Sequence, residues 1–388
     1  MYKVNIRGEF FGGTLLNLET GKRNYINKKE LKEILNNCKF PNDMKISKNI
    51  EFDDIKYIEY NNKEAINYYS FADIVFLEVT RKCNLFCKHC LNDSGKCLNN
   101  ELTQQEFKKL ILDFASHGVQ DIRFTGGEPL LYSGIYELIE LASNNGMYTS
   151  IGTNATIITK KVAKKLKESG LKKAIVSIDG SKKTHDFIRG TGNYDKAMSG
   201  LENLKEVGIE VRINSVIMKS NINEVIALAK ESDKKGNHIF IRRFIESGRG
   251  ENLEGNMLSK SDYNYVKEQL KEEIKGKNVI GHYLIDSSSI VPRIELPFKM
   301  EGCKAGQRAI AIMANGDIQL CGFLYSQGVS PVNNIRNINK WYDFWNELQK
   351  HDKLCHLRCK LDEYNKIPDI QETYCLAYIQ RLINKGEL

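Results

Sequence analysis

The sequence predicts an α/β protein: a partial (β/α)6 TIM barrel with a small α+β module before it and a cysteine-bearing segment after it. Three observations carry this expectation. Apolar runs of strand length begin at Ile74, Ile122, Tyr148, Ala174, Val211 and Ile239. Amphipathic helical patterns separate them, over 104–115, 135–142, 160–168, 194–207 and 222–234. Such alternation builds right-handed βαβ units around a parallel sheet. Finally, every chemically suggestive motif follows directly after a strand, at the sheet end where such folds place function.

Length and composition set the bounds. At 388 residues, with 41% hydrophobic and 27% charged side chains, the chain can bury a substantial core and form two or three domains. The net charge of +8 comes from 57 basic and 49 acidic residues spread without blocks, which reads as a solvated surface with no nucleic-acid partner. No apolar run approaches the ~18 residues of a membrane helix. The first residues, MYKVNIRGEFFGG, are charged and interrupted by glycine, unlike a secretory signal. A cytoplasmic protein with no membrane partner is expected.

Three domains are expected, at 1–72, 73–285 and 286–388. In the first, Gly13 to Ile26 reads as strand, turn at Glu19-Thr20-Gly21, strand. Asn27 suits the cap of a following helix whose Leu31, Ile34 and Leu35 share a face. Short strands are expected again at Ile50-Glu51-Phe52 and Tyr57-Ile58-Glu59-Tyr60. Exposed strand edges there would suit an extended peptide. The last domain has a turn at Gly316, a helix around Trp341 and Trp345, and a C-terminal helix near 376–383. It looks too small for a large core, so metal ligation would supply what packing cannot.

Ten cysteines in a cytoplasmic chain argue against disulfide staples. Cys38 and Cys97 stand apart, and the others form two groups about two hundred residues from each other. The first group is Cys83-x3-Cys87-x2-Cys90, immediately after the first barrel strand. Three thiolates on one loop can hold three corners of a cubane iron–sulfur cluster and leave one iron open. Structural zinc prefers four protein ligands, and His89 or Cys97 would complete such a set. One βα unit later comes Gly126-Gly127-Glu128-Pro129.

This loop, followed by the double glycine, resembles the radical S-adenosylmethionine (SAM) superfamily. The resemblance implies a [4Fe–4S] cluster on Cys83, Cys87 and Cys90 whose open iron chelates SAM. Reduction then yields a 5′-deoxyadenosyl radical that abstracts hydrogen. It further implies that Gly126 and Gly127 approach the methionine part of SAM and that Glu128 receives its amino group. Thr153, Asn154, Ser177 and Asp179 would meet the ribose, Arg189 in His185-Asp-Phe-Ile-Arg-Gly would face the carboxylate, and Asn214 would line the wall. His89 replaces an aromatic residue common in the family and would pack near adenine.

The second group, Cys303-x12-Gly316-x4-Cys321, Cys355-x3-Cys359 and Cys375, resembles the auxiliary-cluster region of SPASM and twitch domains. A Cys-x2-Cys pair of the full SPASM pattern is missing, with Asn346 and Gln349 near its place. The resemblance implies one auxiliary [4Fe–4S] cluster on Cys303, Cys321 and Cys359, with Cys355 or Cys375 as the fourth ligand. The first 72 residues resemble the winged-helix element that recognises leader peptides. A radical SAM maturase of ribosomally synthesised, post-translationally modified peptides (RiPPs) is therefore expected. Its partners would be a leader-bearing precursor peptide and a flavodoxin or ferredoxin, and its product a thioether or another crosslink. The alternatives are a peptide epimerase, with Cys97 or Cys375 as hydrogen-atom donor, a sulfatase-maturating oxidase, or a haem-pathway enzyme.

Overall fold

The computed structural model describes residues 2–42, 44, 46, 50–276, 278–281, 305–350, 380, 383 and 384. The chain opens with β1 (Val4–Glu9), which pairs antiparallel with β2 (Gly12–Asn17); β3 (Arg23–Asn27) follows β2 antiparallel. After α1 (Lys28–Asn37), β4 (Ile55–Ile58) returns parallel to β1, so the sheet runs β3-β2-β1-β4. Asn27 caps α1 reciprocally with Glu30, as its position suggested. Ile34 packs on Val4, Ile6, Leu15 and Ile26 as a small separate core. The strand expected at Ile50-Glu51-Phe52 is instead a short 3-10 turn at Phe52–Asp54, because the Asp54 carboxylate and the Glu51 carbonyl satisfy the local N–H groups.

The second sheet holds the expected rhythm. The strands β5 (Ile74–Glu78), β6 (Asp121–Thr125), β7 (Tyr148–Thr153), β8 (Lys173–Ser177), β9 (Glu210–Ile217) and β10 (His238–Arg243) are parallel and lie side by side in chain order. Between them run α2 (Gln104–Ser116), α3 (Ile135–Asn144), α4 (Lys160–Glu168), α5 (Lys182–Arg189), α6 (Asn193–Glu206) and α7 (Ile222–Lys234). After α8 (Lys260–Gln269) and α9 (Lys271–Lys275), β11 (Val279–Gly281) adds parallel to β10. On the opposite edge β12 (Ala309–Ile312) adds parallel to β5, followed antiparallel by β13 (Asp317–Gln319) and β14 (Asn333–Asn334). The sheet is thus wider than six strands, because a C-terminal strand joins it. Gly316 makes the β12–β13 turn at φ 88°, where a side chain would be strained. The last segments described are α10 (Gly322–Tyr325), α11 (Trp341–Gln349) and three residues near the C-terminus, two of them, 383 and 384, helical like 380. Among the described residues no helix is long and apolar enough to cross a membrane.

One face of this sheet is apolar: Val75, Leu77, Ile122, Phe124, Ile151 and Val176 share a core with Phe107, Phe114 and Leu138 of the helices. The N-terminal module is wired to the sheet by buried charge. Arg7 meets Asp73 at 2.6 Å and Glu9 at 2.8 Å, and Arg308 Nε reaches Asp73 at 2.7 Å. Burial alone would raise the Asp73 pKa, but Arg308, Arg23 and Arg7 outweigh it and hold the carboxyl well below its usual range. Asn346, where the cysteine pair is missing, is buried in α11 and exchanges hydrogen bonds with Asn62 at 2.8 and 3.1 Å. Gln349 donates to the Gly306 carbonyl at 2.7 Å. Both positions serve packing.

Candidate active site

The three-cysteine loop leaves the end of β5 and is held from several sides. The Cys83 N–H donates to the Gly95 carbonyl at 3.0 Å, and the Gly95 N–H to the Arg81 carbonyl at 3.0 Å. From the loop after β6, the Gly127 N–H donates to the Thr80 carbonyl and the Glu128 N–H to the Lys82 carbonyl, both at 2.8 Å. That contact explains the double glycine: a Cβ on Gly126 would sit 2.4 Å from the Thr80 oxygen, and one on Gly127 2.3 Å from the Lys82 oxygen. Glu101 accepts from the Arg81 N–H at 2.7 Å and the Thr80 hydroxyl at 2.9 Å. Arg249, after β10, donates to the Cys87 carbonyl at 2.9 Å and lies 3.8 Å from the centre of the Phe86 ring. Arg249 and Glu101 do not stand out in the sequence; for Arg249 the available signal is Ser247-Gly-Arg-Gly250, a few residues past the end of β10.

The thiols face one another electrostatically. The Leu85 N–H donates to the Cys83 sulfur and the Ser94 N–H to the Cys90 sulfur, each at 3.4 Å, while Arg189 approaches the Cys87 sulfur at 3.9 Å. Burial pushes the Cys83 thiol up to about 11, and Glu128, Cys87 and Cys90 push the same way. Burial also raises the Cys87 thiol, against the pull of Arg189. Thiolates here need a cation among them, which an iron–sulfur cluster supplies. Among the described residues no three Cys, His, Asp or Glu side chains converge on a single ion, a closed zinc site included. What suits an iron–sulfur cluster here is the chemistry of the loop, three thiols within eight residues that leave a fourth corner open.

Two networks flank the loop. Glu128 is fully buried and accepts from the Thr153 hydroxyl and the Asn154 N–H, both at 2.8 Å. Asn154 in turn donates to the Asn84 side chain of the cysteine loop at 2.9 Å. Asp179, also fully buried, accepts from Arg189 Nε at 2.6 Å, faces His89 Nε2 at 2.8 Å, and takes the Val216 N–H at 2.9 Å. Burial works against the charge on Asp179, but Arg189 and His89 overcome it and hold the carboxyl well below the usual range. The sequence placed His89, Asp179 and Arg189 near one ligand; the structure joins them to each other. His89 Nδ1 is buried without a hydrogen-bond partner, a polar atom that a bound group could satisfy. Ser177 is half-buried and lies opposite Asn214 in the β8–β9 register; Asn214 accepts from Arg242 at 2.8 Å. Cys97 is exposed, and Cys321 caps α10 by accepting from the Phe323 N–H at 3.3 Å. Cys303, Cys355, Cys359 and Cys375, and the helix expected near 376–383 apart from 380 and 383, lie outside the described residues.

Glu128 makes a pH prediction. Burial pushes its carboxyl up to about 7, against the pull of the Asn154 and Leu130 N–H groups and the Thr153 hydroxyl. An acid whose folded pKa is raised gives stability below its unfolded pKa, and that stability is lost as pH climbs from about 4.5 to about 7. One such group accounts for about 3 kcal/mol over that window. Glu128→Gln is expected to flatten the decline relative to wild type in denaturant titrations of SAM-free protein; an unchanged slope would rule out this assignment.

A parallel α/β sheet with a three-cysteine loop at its carboxyl end defines a class of iron–sulfur enzymes. The family model of the radical SAM superfamily matches residues 77–231. The chain is 30% identical over 272 residues to the AdoMet-dependent heme synthase of Nitratidesulfovibrio vulgaris, covering 65% of this chain and 74% of that protein. It is also 30% identical over 253 residues to the mycofactocin maturase MftC of Mycolicibacterium smegmatis, covering 63% of each. In fold it is similar to SuiB of Streptococcus suis bound to its precursor peptide SuiA, at a TM-score of 0.66, 20% identity, and coverage of 89% of this chain and 87% of SuiB. The chain belongs to the radical SAM superfamily and is an enzyme, and membership brings SAM and a [4Fe–4S] cluster as its cofactors.

Proposed function

We propose that the protein matures a ribosomally synthesised peptide, joining a cysteine sulfur to carbon as a thioether or forming another crosslink within the peptide. The observation that carries this reading is an N-terminal sheet-and-helix module fixed by buried Arg7 and Asp73 to the sheet that bears the three-cysteine loop. When bound, the cluster and SAM supply a 5′-deoxyadenosyl radical that abstracts hydrogen. Cys83, Cys87 and Cys90 hold the cluster. Glu128, braced by Thr153 and Asn154, receives the SAM amino group, and Arg189, oriented by Asp179, offers its guanidinium to the carboxylate. Gly126 and Gly127 line the methionine part, His89 the adenine, and Ser177 and Asn214 the ribose side. Residues 1–72, 73–285 and 286–388 then act as leader-binding, radical and auxiliary-cluster domains. Cys303, Cys321, Cys359 and either Cys355 or Cys375 would hold an auxiliary [4Fe–4S] cluster, which would supply a one-electron acceptor. A cytoplasmic flavodoxin or ferredoxin supplies the first electron.

The experiment is co-expression with candidate precursor peptides and mass analysis, where loss of a hydrogen pair with one cysteine blocked marks a thioether. Peptide unchanged by enzyme that cleaves SAM would turn attention to the haem pathway, the second reading, which the heme synthase relative favours. Iron content tests the auxiliary site: about eight irons per chain are expected, falling to about four in Cys321→Ala.

The leader would lie in the groove lined by Gly12, Lys28, Leu31, Lys32, Leu35 and Asn36, between α1 and the N-terminal sheet, with the one carboxylate there, Glu9, buried and neutralised by Arg7. Two lysines beside two leucines suit an acidic, amphipathic leader. Removing residues 1–72 would take Arg7 and Arg23 from Asp73 and leave it with Arg308, so charge reversal is the better test. Lys28→Glu with Lys32→Glu is expected to weaken leader binding about tenfold in fluorescence anisotropy, at roughly 0.7 kcal/mol for each exposed contact. Equal affinity would place the leader elsewhere.

A further inference from the structure

An aromatic ring left in water forgoes the stabilisation that burial would bring. Among the described residues the two most exposed large apolar side chains are Phe86, at 74%, and Phe187, at 64%. They come from segments far apart in the chain that meet on one face. Phe86 stands on the three-cysteine loop between buried Leu85 and buried Cys87. Phe187 stands on the outer side of α5, whose His185, Ile188 and Arg189 are buried. The Lys88 N–H donates to the Ile188 carbonyl at 2.9 Å and fastens the loop to the helix. From a third segment, after β10, the Arg249 N–H donates to the Cys90 carbonyl at 3.1 Å.

Each ring carries a cation. Lys88 Nζ lies 3.3 Å from the centre of the Phe187 ring, and the Arg249 guanidinium lies 3.8 Å from that of Phe86. The cysteine loop also exposes Lys82 and Lys96. Lys183 is exposed one turn before Phe187, at the spacing that sets two side chains together on a helix. Carboxylates are fewer here. Asp93 pairs with Arg249 at 2.5 Å, and Asp186 accepts from the Gly192 and Tyr194 N–H groups at 2.9 and 2.8 Å. Glu251, on the turn after Arg249, is exposed. The outer face of the loop is therefore two bare rings rimmed by an excess of positive charge.

We propose that this face is where the electron for the cluster arrives, and that it docks the flavin edge of a small acidic carrier, a flavodoxin. The proposal rests on the reading of Cys83, Cys87 and Cys90 as cluster ligands and gives that site its entrance for charge. Phe86 is joined to Cys87 by one peptide link, so a group seated on its ring lies close to a ligand sulfur. Electron transfer falls steeply with distance, which favours this path. A flavin presents a flat apolar ring edge that two exposed phenyl rings match, and the lysines around them steer a carboxylate-rich partner. Aromatic residues inside a charged rim suit a small, transient redox contact. One electron crosses: the reduced flavin loses it and the cluster gains it, with no bond or proton exchanged.

The test uses reconstituted full-length protein, a flavodoxin loaded with FMN, and a [4Fe–4S] ferredoxin as the rival carrier. Binding is read by calorimetry on unreduced protein, and electron delivery by the absorbance of photoreduced flavodoxin mixed with it. SAM cleavage driven by dithionite is the control, because a small reductant needs no docking. Wild type is expected to bind flavodoxin with a Kd that weakens as salt rises. Lys88→Glu with Lys183→Glu is expected to weaken binding and slow delivery about tenfold or more, with dithionite-driven cleavage unchanged. Phe187→Ser leaves every charge in place and should slow delivery about tenfold through lost contact. The proposal is overturned if flavodoxin does not bind, if either variant takes its electron at the wild-type rate, or if dithionite-driven cleavage falls in step with delivery. It is also overturned if the substitutions weaken ferredoxin and not flavodoxin, or if they act by dissociating a dimer of this chain on gel filtration. Protein that binds flavodoxin through these residues yet holds no iron would refute the cluster and leave the docking face standing.

Discussion

Replacing Cys83, Cys87 or Cys90 with alanine is expected to abolish reductive SAM cleavage. The three sulfurs share one loop, and burial together with neighbouring Glu128 and the other thiols keeps Cys83 protonated near pH 11 or below unless a cation sits among them. Removing one leaves two ligands for a cluster that needs three, so the effect is loss of the site and not a graded change. Iron and sulfide should fall by about four atoms each per chain. 5′-Deoxyadenosine formed under dithionite should drop to the no-enzyme level. The loop itself should survive, because Gly126, Gly127, Glu101 and Arg249 hold its backbone, so near-native melting of SAM-free protein is the companion measurement. SAM cleavage retained in all three variants would exclude the cluster site assigned here.

The second large effect concerns folding. Asp179→Asn leaves Arg189 buried and charged without its 2.6 Å partner, and Arg189→Met leaves Asp179 with His89 and the Val216 N–H but without its guanidinium. Breaking one side of such a pair costs about 3–5 kcal/mol. The double variant should recover part of that loss, since neither charge then remains. Denaturant titration of SAM-free protein measures all three. The pH dependence has a fixed sign. The folded pKa of Asp179 is depressed, so its contribution is present above the unfolded value near 3.8 and is lost as pH falls below it. Asp179→Asn should therefore also shallow the acid limb of the stability curve. Single variants within about 0.5 kcal/mol of wild type would mean that the pair is open to water.

The large sheet was legible because its strands carry apolar residues toward helices whose own apolar faces repeat at helical spacing. β5 to β10 and the helices α4 and α7 fall where periodicity put them. β1 was not legible. Val4 and Ile6 alternate with Asn5, Arg7 and Glu9, and that polar face reads as a solvated segment. It is fully buried, because Asn5 donates to the Gly146 carbonyl and Arg7 to Asp73, partners more than sixty residues away. α5 was missed for a related reason: its His185 and Arg189 are buried for the sake of Asp179, so the helix lacks a plain apolar stripe.

The candidate site divides along the same line. Local spacing alone determined the three-cysteine loop and the double glycine, because both are short-range demands: sulfurs on one loop, and no Cβ against a carbonyl. Which charges meet was decided by tertiary structure. Asp179 could have faced a ribose by its position in the chain, yet the fold sets it against Arg189 and His89, since a carboxylate withdrawn from water must find cations within reach. Asn346, read as a vacancy in a metal motif, serves as a hydrogen-bond partner for Asn62. Arg123 and Arg242 act on Arg212 only because parallel pairing brings β6, β9 and β10 into one sheet. Composition and spacing determine what a chain can bind locally; long-range pairing decides which of its charges are left facing one another.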